Sequence, residues 1–229
     1  MTYSRYAIYY APPETAGWTR FCTGWLGWDM LSGRPADHPE ATGLPRPISE
    51  ITATPRKYGL HGTLKPPFRL AEGTTAAGLE AACADLAATL APFELAGLRL
   101  TRLGRFLCLQ PSGPAEALAA LAGACVQQLD RFRAPAGTAE LARRRAAGLS
   151  PRQEDNLTRW GYPYVLEDFR FHITLSGRLP KDQIGAVESW LAPRLTPLLP
   201  DGFTVPDIAL VGEASDGMFH LIRRFPLSG

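Results

Sequence analysis

Lysine is scarce. Lys57, Lys65 and Lys181 are the only three in 229 residues, and arginine supplies the rest of the 24 basic side chains. Set against 22 acidic residues, they leave a net charge of +2, too little for the broad positive field behind non-specific binding to nucleic acid or anionic membranes. Extended nucleic acid and membrane are therefore not expected partners, and any phosphate recognition has to be local. No window approaches the roughly 18 uninterrupted apolar residues of a membrane span, and the segment Met1-Thr-Tyr-Ser-Arg-Tyr6 lacks the basic-then-apolar layout of a secretory leader. A soluble, cytoplasmic protein is expected. Cysteine is limited to Cys22, Cys83, Cys108 and Cys125, widely spaced and each in an apolar stretch, which fits buried free thiols rather than a disulfide framework.

Several signatures are missing as well. There is no H-E-x-x-H, no clustered Asp/His set and no cysteine quartet, so neither a metal nor another cofactor is expected. The G-x-x-x-x-G-K-[S/T] loop of nucleotide hydrolysis, the G-x-G-x-x-G dinucleotide fingerprint and the G-x-S-x-G serine elbow do not occur.

What is present is ordinary globular composition, with 45% hydrophobic residues and enough length for one large domain or two small lobes. Residues 3–10 are aromatic and β-branched and stop at Pro12-Pro13, which predicts a strand. Trp18, Phe21, Trp25 and Trp28 at three- and four-residue spacing predict a core-facing helix over about 16–28, and the Pro/Gly-rich segment 33–47 predicts a loop. A strand over 57–65, a helix over 75–91 and strands over 93–103 and 106–110 follow, hinged at Gly104. The order then recurs: an alternating strand over 169–176, a helix over 181–195, and a hairpin of 204–213 and 218–225 around Ser215-Asp-Gly217.

Shifted by about 110 residues, the halves match. His61-x-Thr63-Leu64 falls on His172-x-Thr174-Leu175, and Phe93-x-Leu95-x-x-Leu98-x-Leu100 on Phe203-x-Val205-x-x-Ile208-x-Leu210. This predicts a duplicated, bilobal α+β fold: two antiparallel sheets with flanking helices around a central cleft. Lobe 1 covers about 50–111 and lobe 2 about 163–229, with the N-terminal strand and helix (1–30) packed on them. A helical insert spans about 112–162; Ser150-Pro-Arg-Gln153 in it reads as a capping box with proline in the first turn. Arg143-Arg144-Arg145, also in the insert, reads first as a solvated helix face and second as an arm that grips phosphate.

Only four histidines occur, and two of them open H-x-T-L. From average residue usage, a given histidine meets that pattern about once in two hundred times. On a strand, residues i and i+2 share a face, so each motif offers an imidazole beside a hydroxyl. Two such strands across a cleft give one imidazole to take a proton from an attacking hydroxyl or water and another to protonate the leaving oxygen. Thr63 and Thr174 would then hold the non-bridging phosphoryl oxygens. Period two also puts Lys65, Arg170 and Ser176 on the histidine faces, the first two as cations for a substrate phosphate and the third as an extension of the polar surface. Tyr58, Tyr162 and Tyr164 flank the motifs and can stack on a base or sugar, core packing being the plainer use of each. His220 lacks the following hydroxyl and reads as structural; His38 sits in the loop.

With these residues in view, the chain resembles the two-histidine phosphoesterase superfamily. Arg56-Lys-Tyr-Gly-Leu-His-Gly-Thr-Leu-Lys-Pro-Pro-Phe68, Trp160 to Gly177 and Arg5 to Pro13 are similar to its bacterial branch found with phosphonate-utilisation operons. Gly62 departs from the hydrophobic residue often seen at that motif position. The resemblance implies a metal-independent cyclic phosphodiesterase, with His61 and His172 as acid and base, and Thr63 and Thr174 binding phosphate on a small ribose-containing cyclic phosphate or nucleotide. A monomer or weak oligomer is expected. An RNA-end 2′,3′-cyclic phosphodiesterase or ligase and a non-catalytic module for a phosphorylated ligand remain alternative readings. Which histidine is the acid stays open.

Overall fold

Aromatic and β-branched residues open the chain as strand β1 (Arg5–Tyr10), and Pro12 and Pro13, which lack an amide hydrogen, close it. Helix α1 (Gly17–Leu26) follows and ends where Gly27 takes φ +80°, a left-handed conformation that glycine adopts at no steric cost. A short ribbon of β2 (Trp28–Asp29) and β3 (Arg34–Pro35) and the single-turn helices α2 (Ile48–Ile51) and α3 (Ala53–Arg56) lead to the first half. It runs β4 (Gly62–Phe68), α4 (Ala76–Ala88), β5 (Phe93–Ala96), β6 (Leu98–Leu103) and β7 (Phe106–Pro111). The insert carries α5 (Glu116–Gln128), α6 (Thr138–Arg145) and α7 (Pro151–Trp160), and the second half runs β8 (Ile173–Thr174), α8 (Ile184–Leu195), β9 (Gly202–Val205), β10 (Asp207–Glu213) and β11 (Phe219–Pro226). This computed structural model describes residues 2–229.

The fold is α+β, and its strand pairing is antiparallel throughout the main sheet, in the order β11-β10-β1-β4-β8-β7-β6. The two expected sheets thus meet edge to edge as one, joined where β4 pairs with β8. The order also interleaves the halves. β4 lies beside β1 and the β10–β11 hairpin, while β8 lies against the β6–β7 hairpin. Each histidine strand therefore shares its half-sheet with the hairpin of the other half. The N-terminal strand β1 is internal to the sheet, between β10 and β4.

The register exposes the duplication directly. Gly62 pairs with Ile173, the residue that matches it in the other half. In the small β5–β9 ribbon, Phe93 pairs with Val205 and Leu95 with Phe203, the exchange of partners that a two-fold axis imposes on two copies of one element.

One face of the sheet carries the main core. Trp25 and Cys22 from α1, Leu79 and Cys83 from α4, Leu118 and Cys125 from α5, and Val187 and Leu191 from α8 pack there against Ile8, Leu64, Leu109, Ile173 and Leu210. All four cysteines are free and buried. On the other face a smaller cluster holds Ala7, Tyr9, Trp28, Met30, Val211 and Phe219, with Tyr58 partly buried against it. Among the described residues no helix is long and apolar enough to cross a membrane.

Candidate active site

Both H-x-T-L motifs arrive at the seam of the sheet. Extending the Gly62–Ile173 register by one residue each way sets His61 opposite Thr174 and Thr63 opposite His172. Directly opposed antiparallel residues share a face with Cβ atoms about 5 Å apart. Two imidazoles and two hydroxyls therefore stand at alternate corners of one patch. The two rings lie close enough for a charge on His172 to disfavour a charge on His61.

Each ring is fixed by its own backbone. His61 Nδ1 lies 2.9 Å from the Gly59 carbonyl oxygen and His172 Nδ1 lies 2.7 Å from that of Arg170. A carbonyl only accepts, so both Nδ1 atoms carry the proton and both Nε2 atoms are left as lone-pair acceptors in the neutral rings. His61 Nε2 accepts from Thr63 Oγ1 at 3.1 Å. The turn that presents Gly59 has φ +68°, and Met30 packs where a Cβ on Gly59 would stand, so that bend requires glycine.

Burial separates the two rings chemically. Tyr9 stacks on His61 with ring centroids 3.8 Å apart, and the Tyr58 ring lies tilted with its centroid 6.0 Å away. Burial, opposed by the Gly59 hydrogen bond and reinforced by His172, holds His61 down to about 4. His172, next to Phe106 at 5.6 Å, is lowered by burial as well, partly offset by the Arg170 carbonyl.

Second contacts hold the His172 segment in register. Trp25 Nε1 donates to the Leu175 carbonyl at 2.7 Å, Leu175 N donates to Leu107 O at 2.9 Å, and Gly177 N donates to Ile51 O at 2.7 Å. At Gly62, the position that departs from the family pattern, the Phe171 ring fills the space a side chain would take. The small residue closes the seam.

Two expected site residues belong elsewhere. Lys65 is 2% exposed, and its Nζ donates to the Val126 carbonyl at 3.0 Å and to Asp130 at 3.3 Å, on the helical side of the sheet. The cause is a bulge: Tyr9 pairs with Thr63 but Ile8 with Lys65, so β4 spends one extra residue and its alternation flips after Thr63. Ser176 is buried, its Oγ accepting from Leu107 N at 2.9 Å and donating to Gly177 O at 2.9 Å. Leu175 N and Ser176 N both reach Leu107 O, which breaks the alternation there too. Both serve the scaffold rather than the histidine face.

Arg170 is exposed, and it is its carbonyl that orients His172. Tyr58 stays at the site. His38 Nδ1 lies 3.1 Å from the Gly24 carbonyl, and His220 packs on Trp28 and lies 3.0 Å from Asp216; both brace loops. The residue that sequence reasoning passed over is Tyr9, whose place beside His61 follows from the β1–β4 register and from no local motif. A surface cavity of about 590 Å³, bordered by Gly97, Arg99, Ser112, Glu188 and Asp201, includes neither histidine. Among the described residues no three His, Cys, Asp or Glu side chains gather as metal ligands would.

In comparison with known proteins, the family model described as "Protein of unknown function (DUF1045)" matches residues 63–220. Two curated relatives carry the name "Ribose 1,5-bisphosphate phosphokinase PhnN". The one from Janthinobacterium sp. (strain Marseille) is 41% identical over 77% of this chain and 39% of its own length. The one from Laribacter hongkongensis (strain HLHK9) is 37% identical over 82% of this chain and 43% of its own length. The chain thus spans about two fifths of the length of the relatives it matches. Among solved structures, the chain is similar to E. coli LigT in its apo form, at 19% identity and a TM-score of 0.47 over 100% of each chain. The protein TT0787 of Thermus thermophilus is also 19% identical, with a TM-score of 0.48 over 98% of each.

Proposed function

Because the chain belongs to the DUF1045 family, which has no assigned activity, we propose from the site itself that it is a two-histidine cyclic phosphodiesterase acting on a ribosyl cyclic phosphate without a metal. The observation that carries this reading is the pairing of two H-x-T-L strands at matched residues, which sets each imidazole across from the other motif's hydroxyl. A phosphoryl group over that patch meets an acceptor and a donor on opposite sides and two hydroxyls for its non-bridging oxygens.

The lower proton affinity of His61 supports one division of roles. His61, the ring held lower, takes the proton from water as the water oxygen bonds to phosphorus. His172, in its protonated form, gives its Nε2 proton to the ring-opening ribose oxygen as the phosphorus–oxygen bond breaks. Thr63 turns its hydroxyl from His61 Nε2 to the phosphate, and Thr174 matches it from the other strand. A water is consumed, a phosphate monoester and a free hydroxyl result, and exchange with solvent returns each histidine to its starting state.

The names of the relatives fit this chemistry at its product. Opening a 5-phosphorylated ribosyl 1,2-cyclic phosphate at O2 yields ribose 1,5-bisphosphate, the compound in those names. Phosphorylating that compound requires a phosphoryl donor, and this chain has no G-x-x-x-x-G-K-[S/T] loop; we assign the kinase activity to the part of the relatives outside the match. The test is turnover, with EDTA present, of a ribosyl 1,2-cyclic phosphate, a 2′,3′-cyclic nucleotide and a linear diester. Wild type is expected to open the ribosyl substrate, and His61→Ala and His172→Ala to lose about 10²- to 10⁴-fold each. Activity that survives either substitution, or that EDTA abolishes, refutes the mechanism; ligand binding without turnover in wild type would favour the non-catalytic module.

A further inference from the structure

Tyr9, whose ring stacks on His61, is fully buried, and its hydroxyl has no hydrogen-bond partner. A phenol left in that state loses hydration for nothing in return. It lies within electrostatic reach of the hydroxyls of Tyr58 and Tyr162. Tyr162 in turn lies under Arg144, whose guanidinium carbon stands 4.6 Å from the ring centroid. Arg144 offers one nitrogen to Glu140 at 2.7 Å, but its Nε is buried and unpartnered. The line from His61 through Tyr9, Tyr58 and Tyr162 thus ends on a cation of the insert, the middle arginine of Arg143-Arg144-Arg145.

Each polar group along this line can donate: three phenol hydroxyls and a guanidinium N–H. Such a set suits an anion with several acceptor oxygens. Arg5 and Lys57 are the other cations nearby, Lys57 lying 4.8 Å from the Tyr58 ring centroid; Glu213 holds Arg5 at 2.6 Å through both Nε and Nη2 and Lys57 at 3.7 Å, so of the three Arg144 is the one with a buried nitrogen left without a partner. We propose that Tyr9, Tyr58, Tyr162 and Arg144 form a subsite for a second phosphate, the terminal phosphate monoester of the ribosyl substrate, beside the one that reacts. This rests on the phosphodiesterase reading above and adds to it a selectivity, with helix α6 as its carrier.

The experiment compares ribosyl 1,2-cyclic phosphate with and without a 5-phosphate. In wild type the 5-phosphate is expected to raise kcat/KM by about 10- to 100-fold, the value of one charge-assisted hydrogen bond set. In Arg144→Met that advantage falls to near unity while turnover of the unphosphorylated substrate stays within about twofold. Tyr9→Phe is the second variant: its melting temperature is expected to hold or rise, since an unsatisfied hydroxyl is removed, while the 5-phosphate advantage shrinks. Equal losses for both substrates in Arg144→Met, or an advantage that persists in it, overturns the subsite.

A calorimetric arm makes the result independent of catalysis. The same two ligands are titrated into the His61→Ala/His172→Ala protein, with and without Arg144→Met. If no cyclic substrate is opened by wild type, the phosphodiesterase reading fails, and this arm alone decides the subsite: tighter binding of the 5-phosphorylated ligand that disappears with Arg144→Met upholds it, and equal affinity overturns it.

Discussion

Lowering the pH from 7 to 4 should destabilise this protein through His61, and the size of the effect can be worked out. In the unfolded chain the imidazole takes up a proton near its ordinary value of about 6.5, whereas in the folded protein burial against Tyr9 keeps it neutral down to about 4. Between those values the unfolded state binds a proton that the folded state refuses, so stability is fully present above about 6.5 and falls as the pH drops toward 4. At about 1.4 kcal/mol per pKa unit, the whole window is worth about 3 kcal/mol. The comparison is His61→Asn, which cannot titrate but keeps a side-chain donor for the Gly59 carbonyl. His172, lowered in the same direction, and the carboxylates Glu213 and Asp130, which are held low by their basic partners, contribute to both proteins and cancel in the difference. With a urea slope of about 2–3 kcal/mol per molar, the midpoint of wild type should fall by about 1 M more than that of His61→Asn between pH 7 and pH 4. Midpoint curves that stay parallel across that range would refute the argument that His61 is buried at a cost.

Three further outcomes follow from the same geometry. The pH profile of kcat/KM should be a bell with its maximum between about 4 and 6.5, because one imidazole must be neutral while the other is protonated and both are held below the ordinary value; a maximum above pH 7 contradicts the lowered affinities of the pair. Gly62→Val should cost about 1–3 kcal/mol by driving a branched side chain into the Phe171 ring, and Phe171→Leu in the same chain should recover part of it in thermal melts; a variant as stable as wild type would mean the seam has slack. Lys65→Met should leave KM unchanged and alter stability by less than about 1.5 kcal/mol, since methionine fills similar space and Asp130 keeps Arg133 at 2.8 Å. A tenfold rise in KM would return Lys65 to the substrate.

The elements and the histidine pair were legible because they are written in short-range patterns. Helix α7 begins where Ser150 predicts it, with both capping-box bonds formed, and the β7 turn begins at Gly104 with φ +62°. The matched motifs pointed to a duplication that the Gly62–Ile173 pairing then displays. What period-two reasoning could not see is where alternation stops. One extra residue in β4 sends Lys65 to the helices, and a shared carbonyl at Leu107 turns Ser176 inward; nothing local marks either residue, since both bulges are set by the neighbouring strand. Tyr9 was hidden for the same reason. Its partner His61 lies 52 residues away in sequence, and only the β1–β4 register joins them.

The pairing of matched residues has a consequence for how such a site arises. Two copies of one half, associating as a homodimer through β4-like and β5-like strands, would already place two histidines and two threonines about a common axis. That ancestor would have had one pocket per dimer and two identical rings unable to divide the labour of acid and base, except by chance of which one held a proton. Within a single chain the two halves need not stay identical. The difference is visible where the axis passes: a glycine on one side, an isoleucine on the other, and a tyrosine stacked on one histidine where its counterpart has a tilted phenylalanine beside it.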